Sequence, residues 1–292
     1  MKLSPIVLLF FAMLGCGSGT QPSIPSVTPA TAKTPDAATV KKHMTPAQLA
    51  LGDPIVNSIG MVLVSIPAGE FMMGSPDSAS DADDSEKPKH LVKITKPFYL
   101  SVHEVTQHQY EQVMGVRPWQ GENFVQNGSD YPATYVSWND AVEFCRKLSE
   151  QEGVEYRLPT EGQWEYACRA GTTTGYSFGD DASKLRQYAW YDKNALDIGE
   201  DYAHRVGRKL PNPWGLYDIH GNVFEWCQDW YAPYGSEKAV SDPGGSASGS
   251  SRVLRGGSFF FQPRSVRSAD RGRDRPTFRF FSIGLRAART YP

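Results

Sequence analysis

The stretch Trp214–Tyr231 reads WGLYDIHGNVFEWCQDWY and sets aromatic side chains at Trp214, Tyr217, Phe224, Trp226, Trp230 and Tyr231 among the polar residues Asp218, His220, Asn222, Glu225 and Asp229. Each ring can bury a large apolar area, so this stretch belongs in a core. A carboxylate taken into that core is costly unless it is paired, hydrogen-bonded or bound to a metal. Gly215 and Gly221 mark tight turns. Asp218 and Glu225, on either side of the second glycine, suit an oxygen-rich cage for a hard cation such as Ca2+. They equally suit turn capping and pairing with arginines, and the spacing alone leaves both uses open.

Further blocks flank this stretch. They are IPAGEFMMGS at 66–75, EVTQHQYEQVMG at 104–115, YPATYVSWNDAVEFCRKLSE at 131–150, RLPTEGQWEYACRAGT at 157–172, RVLRGGSF at 252–259 and GLRAAR at 284–289. Together with GLYDIHGNVFEW at 215–226 they resemble, in order, the motifs of the formylglycine-generating enzyme family, also called the sulfatase-modifying factor family. The resemblance runs from about residue 57 to the C-terminus and implies an α+β fold, a loop-rich, irregular variant of the C-type-lectin fold. The 27 glycines and 21 prolines, many of them in the second half, independently point to a structure poor in regular elements.

The chain divides into three parts. Residues 1–16 carry Lys2, an apolar run and small residues around Cys16, the layout of a secretory signal. The run is short for a bilayer span. AMLGC resembles a bacterial lipobox, in which Cys16 would be lipidated. Residues 17–50, rich in Ser, Thr, Pro, Ala and Lys, read as a flexible tether. Residues 51–292 form the folded domain. Export to the periplasm or cell envelope follows, with membrane attachment only through the lipid. A net charge of −2 supplies no electrostatic footprint for nucleic acid.

Within the domain, MVLVSIPAGEF at 61–71 reads as two strands broken at Pro67–Gly69, and 92–105 as further strand, with an acidic loop between. Thr106 is placed to cap a helix reaching Met114. A second helix begins near Asn139, taken as its cap, and carries Ala141, Phe144, Cys145 and Leu148 on one face. Thr160 and Gln163 form a capping box for a third helix, with Trp164, Ala167 and Cys168 facing inward.

The resemblance implies chemistry that these residues do not fully carry. Family enzymes convert a cysteine of a sulfatase CxPxR motif to formylglycine, using O2 and a copper ion held by two thiolates, the soft ligands Cu(I) prefers. The first thiolate position matches Phe261, and no cysteine follows Cys227. Copper is therefore not expected, although Ser258 and Arg267 match residues of the family active site. Cys145 and Cys168 match positions that pair with cysteines in relatives, but Ser268 and Ala287 stand at the partner places. The family's calcium ligands match Asp218 and Glu225 through side chains and Gly221 and Val223 through carbonyls. A second calcium site would map near Asn194, Asp197 and Asp201.

Ten arginines lie from Arg252 to Arg289 against Asp270 and Asp274 alone. They suit either a groove for an acidic or extended ligand or the tying of loops through carbonyls and buried acids. The ligand face is expected at Phe259, Phe260, Arg264, Arg267 and Arg271. The six histidines are scattered, and no GxSxG elbow, phosphate loop or CxxC pair is present. The expected function is a non-catalytic, Ca2+-stabilised module binding a peptide or protein, an exported sulfatase being one candidate. The alternatives are an oxidase or accessory factor acting on exported sulfatases, and a structural envelope protein.

Overall fold

The computed structural model describes residues 34–292, Glu237 excepted, so the leader at 1–16, Cys16 and the first part of the tether lie outside the described residues. The segment 34–50, expected to be flexible, is instead part of the folded unit. It forms α1 (Ala37–Lys41) and α2 (Pro46–Ala50). Asp36 caps α1 by accepting the Thr39 N–H at 2.8 Å, and Thr45 with Gln48 makes a capping box at α2. Val40 and Met44 are buried, and the Gln48 amide donates to the carbonyls of Ser65 and Trp214. Two apolar anchors and one buried amide decide the outcome against a disorder-like composition.

Strands are numbered along the chain. One sheet has the order β1 (Ile55–Val56), β2 (Val62–Ile66), β5 (Phe98–Ser101), β12 (Ala288–Thr290), β6 (Tyr156–Arg157) and is antiparallel throughout, so the C-terminal strand is paired on both sides. A second joins β10 (Gly272–Asp274), β9 (Arg252–Arg255), β7 (Phe224–Trp230) and β11 (Ile283–Gly284). The third joins β3 (Gly69–Met73), β4 (His90–Ile94) and β8 (Ala239–Ser241). The break expected at Pro67–Gly69 separates β2 from β3, and the acidic loop separates β3 from β4. Long irregular segments connect these small sheets, which is the loop-rich character the glycines and prolines indicated and the α+β class the resemblance implied.

Helix α3 (Gln107–Met114) starts at the Thr106–Gln109 capping box, and α5 (Glu161–Arg169) at the Thr160–Gln163 box. Helix α4 (Trp138–Glu152) buries Ala141, Phe144, Cys145 and Leu148, but its cap is Ser137 rather than Asn139. The Ser137 hydroxyl accepts from the Asp140 N–H while the Asp140 carboxylate accepts from the Ser137 N–H, a reciprocal pair that Asn139, two residues later and already inside the helix, cannot make.

The aromatic stretch that opens into β7 lies in the core: Trp214, Tyr217, Phe224 and Trp226 are buried. The Trp226 indole donates to Val136 O and the Trp138 indole to Cys227 O, each at 2.9 Å, which fastens β7 to the start of α4. Trp230 is half-buried, and the Arg252 guanidinium lies between its ring and that of Trp138, 3.4 and 3.7 Å from the ring centres.

Candidate functional site

The turn before β7 brings Asp218, Gly221 and Val223 next to Glu225, the first acid of the strand. Asp218 and Asn222 both hold left-handed backbone, φ 55° and 57°, which Asp and Asn tolerate better than other side chains. A side chain at Gly221 would meet Trp190 O at 2.1 Å, so the close approach of the two backbones requires glycine there.

Glu225 is committed within the protein. Arg286 reaches its two oxygens at 2.7–3.0 Å, and the Trp164 indole donates to Oε2 at 2.7 Å. Asp218 is not committed in this way. Its Oδ2 accepts the Gly207 N–H at 2.6 Å, while Oδ1 is buried and without a hydrogen-bond partner among the described residues. Glu104, buried close by, accepts from Asn222 Nδ2 at 3.1 Å through Oε1, and its Oε2 is likewise orphaned. Three buried acids thus share one buried guanidinium, Arg286. Burial pushes the Asp218 carboxyl up to about 6, and burial and then Asp218 push the Glu104 carboxyl well above the usual range.

The resemblance implies Ca2+ at this turn, and the donor set fits a hard cation in kind: two unsatisfied carboxylate oxygens, carboxylates in excess of cations, and a turn rich in carbonyls. The fit rests on Asp218 and Glu104 more than on Glu225. Among the described residues no three Asp, Glu, His or Cys side chains converge as a metal cluster. At the second expected site, Asn194 closes its own turn through the Tyr191 N–H and Ala189 O, and Asp197 pairs with Lys193 at 2.7 Å. Asp201 is half-buried.

The arginines divide between the two readings left open for them. Arg267 is buried in a fork on Glu86, both bonds at 2.8 Å, and Arg271 grips Glu161 at 2.7 and 2.8 Å. Arg169 and Arg255 share Glu165. These guanidiniums tie loops together. Arg267 and Arg271, expected on a ligand face, are therefore occupied from within. Phe259, also expected there, is fully buried against Phe281. Ser258 is buried too, its hydroxyl accepting the Phe260 N–H at 3.3 Å. What reaches the surface from the expected face is Arg264, exposed, with Phe260 and Phe261 half-buried and edge-on to each other at 6.1 Å. Phe280 packs beside them.

Cys145, Cys168 and Cys227 are free and buried. Burial pushes the Cys145 and Cys168 thiols up to about 12. Ser268 is a neighbour of the Cys168 sulfur, which also lies 3.8 Å from His220 Nε2. That imidazole is a buried structural group. Its Nε2 accepts the Ser177 N–H, so the proton resides on Nδ1, which donates to Val266 O at 2.8 Å. Burial lowers its pKa to about 4.

The sequence matches the model of the sulfatase-modifying factor enzyme 1-like domain over residues 56–291. The chain belongs to the sulfatase-modifying factor family. A formylglycine-generating enzyme of Streptomyces coelicolor is 28% identical over 283 residues, covering 77% of this chain and 88% of the relative. Among solved structures, Treponema denticola variable protein 1 is similar with a TM-score of 0.72 at 30% identity, over 82% of this chain and 98% of that one. PvdO from Pseudomonas aeruginosa is similar with a TM-score of 0.73 at 28% identity, over the same shares. These likenesses agree with the loop-rich, C-type-lectin-like fold.

Phe261, which the resemblance matches to a copper-thiolate position, packs edge-on to Phe224 with ring centres 5.1 Å apart. The groups that sequence reading passed over are Glu104 and Arg286, which complete the charge balance around Asp218 and Glu225. A motif glutamate beside Val105, in a stretch otherwise read as strand, was the available signal for Glu104. Nothing local in GLRAAR marked Arg286 as the partner of Glu225, because the two are 61 positions apart.

Proposed function

We propose that this chain is a non-catalytic member of the sulfatase-modifying factor family, exported and lipid-anchored through Cys16. It holds Ca2+ at the Asp218 turn and binds a peptide or protein over Phe260, Phe261 and Arg264. The observation that carries this reading is the pairing of a kept scaffold with lost thiolates. The resemblance puts Phe261 at the first copper position, and the three described cysteines are buried thiols. Half-exposed phenylalanines with a guanidinium that has no ion pair among the described residues retain the means to hold an extended peptide. Membership of a fold family does not by itself fix an activity.

Titration of a labelled CxPxR sulfatase peptide tests the face directly. Phe260→Ala and Arg264→Ala, combined, should weaken binding about tenfold or more, in line with the loss of one or two interface anchors. Equal affinity of the double variant would remove this face from the account.

The likeness to the Streptomyces enzyme favours one second reading, an enzyme or accessory factor for exported sulfatases. It requires a metal site other than the two-thiolate one, since no described cysteine is accessible.

A further inference from the structure

Asp229, on β7, is buried to 3% exposure, yet no cation forms an ion pair with it among the described residues. Its Oδ2 accepts the N–H of Glu161, the first residue of α5, at 2.8 Å. Its Oδ1 has no donor among the described residues and, unlike the orphaned oxygens of Asp218 and Glu104, is not sealed from solvent. Gly245, in left-handed backbone at φ 73°, keeps it open, since a side chain there would stand 2.9 Å from Oδ1. Burial and then Glu161 push this carboxyl up to about 7, as expected of an acid that lacks a counter-cation.

Asp229 lines a surface cavity of about 520 Å³, a size suited to a small ligand. Glu161, Asp242 and Arg271 are the other charged residues of the lining among the described residues. Asp242 is turned to Thr95, accepting its N–H at 2.8 Å and its hydroxyl. Arg271 spends all three nitrogens on protein oxygens: Nε and Nη2 on Glu161, Nη1 on Ser85 O, and Nη2 also on Ala232 O. Arg255, behind the wall and 3.5 Å from Glu161, is held by Glu165. Arg157 and Arg252 act on Asp229 only from a distance and do not line the cavity. His90 adds a second unused acceptor to the lining. Its Nδ1 donates to Pro88 O at 2.9 Å, so Nε2 carries the lone pair and has no partner among the described residues. The cation of this lining is engaged, and what stays open is a buried carboxylate oxygen. The matching ligand brings N–H donors and a positive charge.

We propose that this cavity is a binding site for a small aliphatic primary amine, its ammonium on Asp229 Oδ1 and its alkyl stem along Met73, Val240 and Pro243 of the lining. The site is separate from the Asp218 turn and from the Phe260 face, and does not depend on the function proposed for either.

Binding of n-butylammonium to the full domain, followed by calorimetry, is the measurement, with n-butanol as the neutral control. It is made at about pH 8, above the Asp229 value and below that of an alkylamine. Butylammonium should bind and butanol should not. Asp229→Asn keeps an acceptor for the Glu161 N–H and removes the charge, so it should weaken butylammonium at least tenfold at unchanged or higher Tm. Ser246 lines the same cavity and is exposed, so Ser246→Lys adds an ammonium of the protein's own without disturbing the core, and should weaken binding severalfold. Failure of butylammonium to bind, or equal affinity in either variant, overturns the site. Binding of butanol as tightly as butylammonium overturns the ligand class.

Discussion

Arg286 and Glu225 form a fork-on-fork ion pair in the centre of the protein, at 2.7 Å at its shortest, with both side chains essentially without solvent contact. The same guanidinium donates to Ser101 O and Tyr217 O, so one side chain joins β5, the aromatic stretch and β7. Removing either partner strands a buried charge. Glu225→Gln or Arg286→Met is expected to cost about 3–5 kcal/mol, read from denaturant unfolding. A cost below about 1 kcal/mol would mean that the pair is not the anchor described here.

Asp218 and Glu104 present the opposite case, acids in excess of cations. Ca2+ is expected to raise Tm by roughly 5–10 °C at saturating concentration, chelator to reverse it, and Asp218→Ala to abolish the response. Scanning calorimetry with and without Ca2+ decides this. Because burial pushes Asp218 up to about 6, protons compete with the ion, and the Ca2+ effect should shrink as pH falls through that value.

Asp229 provides a test of burial energetics away from that turn. Burial, followed by the neighbouring Glu161, pushes its carboxyl up to about 7, while Arg271 faces Glu161 instead. A folded pKa above the unfolded one means that the native state binds the extra proton, so this site loses stability as pH rises from roughly 4 to about 7. Asp229→Asn keeps an acceptor for the Glu161 N–H and removes the titration. The variant's stability relative to the natural chain should improve by on the order of 1–3 kcal/mol between those pH values. A pH-independent difference would contradict the assignment.

The start of α4 separates two cap assignments. Ser137→Ala should cost about 1 kcal/mol and Asn139→Ala a few tenths, measured as a shift in unfolding midpoint. The reverse order would restore Asn139 as the cap.

Much of the fold was legible because its signals are local. The Thr106 cap, the Thr160 box, the buried face of α4 and the aromatic core of 214–226 follow from spacing within one or two turns. What was not legible depends on distant partners. Arg267 and Arg271 looked free for a ligand because Glu86 and Glu161 lie 181 and 110 positions away. The docking of 34–50 was hidden by its composition, since Gln48 finds its acceptors only in Ser65 and Trp214 of the folded core. Phe259, Phe260 and Phe261 were indistinguishable as residues, and only packing sends the first inward.

The most direct test of the central claim is mass spectrometry of a CxPxR sulfatase peptide incubated with the purified domain, copper, reductant and O2. The account predicts a peptide of unchanged mass that is nevertheless retained by the domain. Loss of the thiol mass with formation of the aldehyde would contradict it, and would place a working oxidase site in a chain for which the family resemblance puts Phe261 at the first thiolate position.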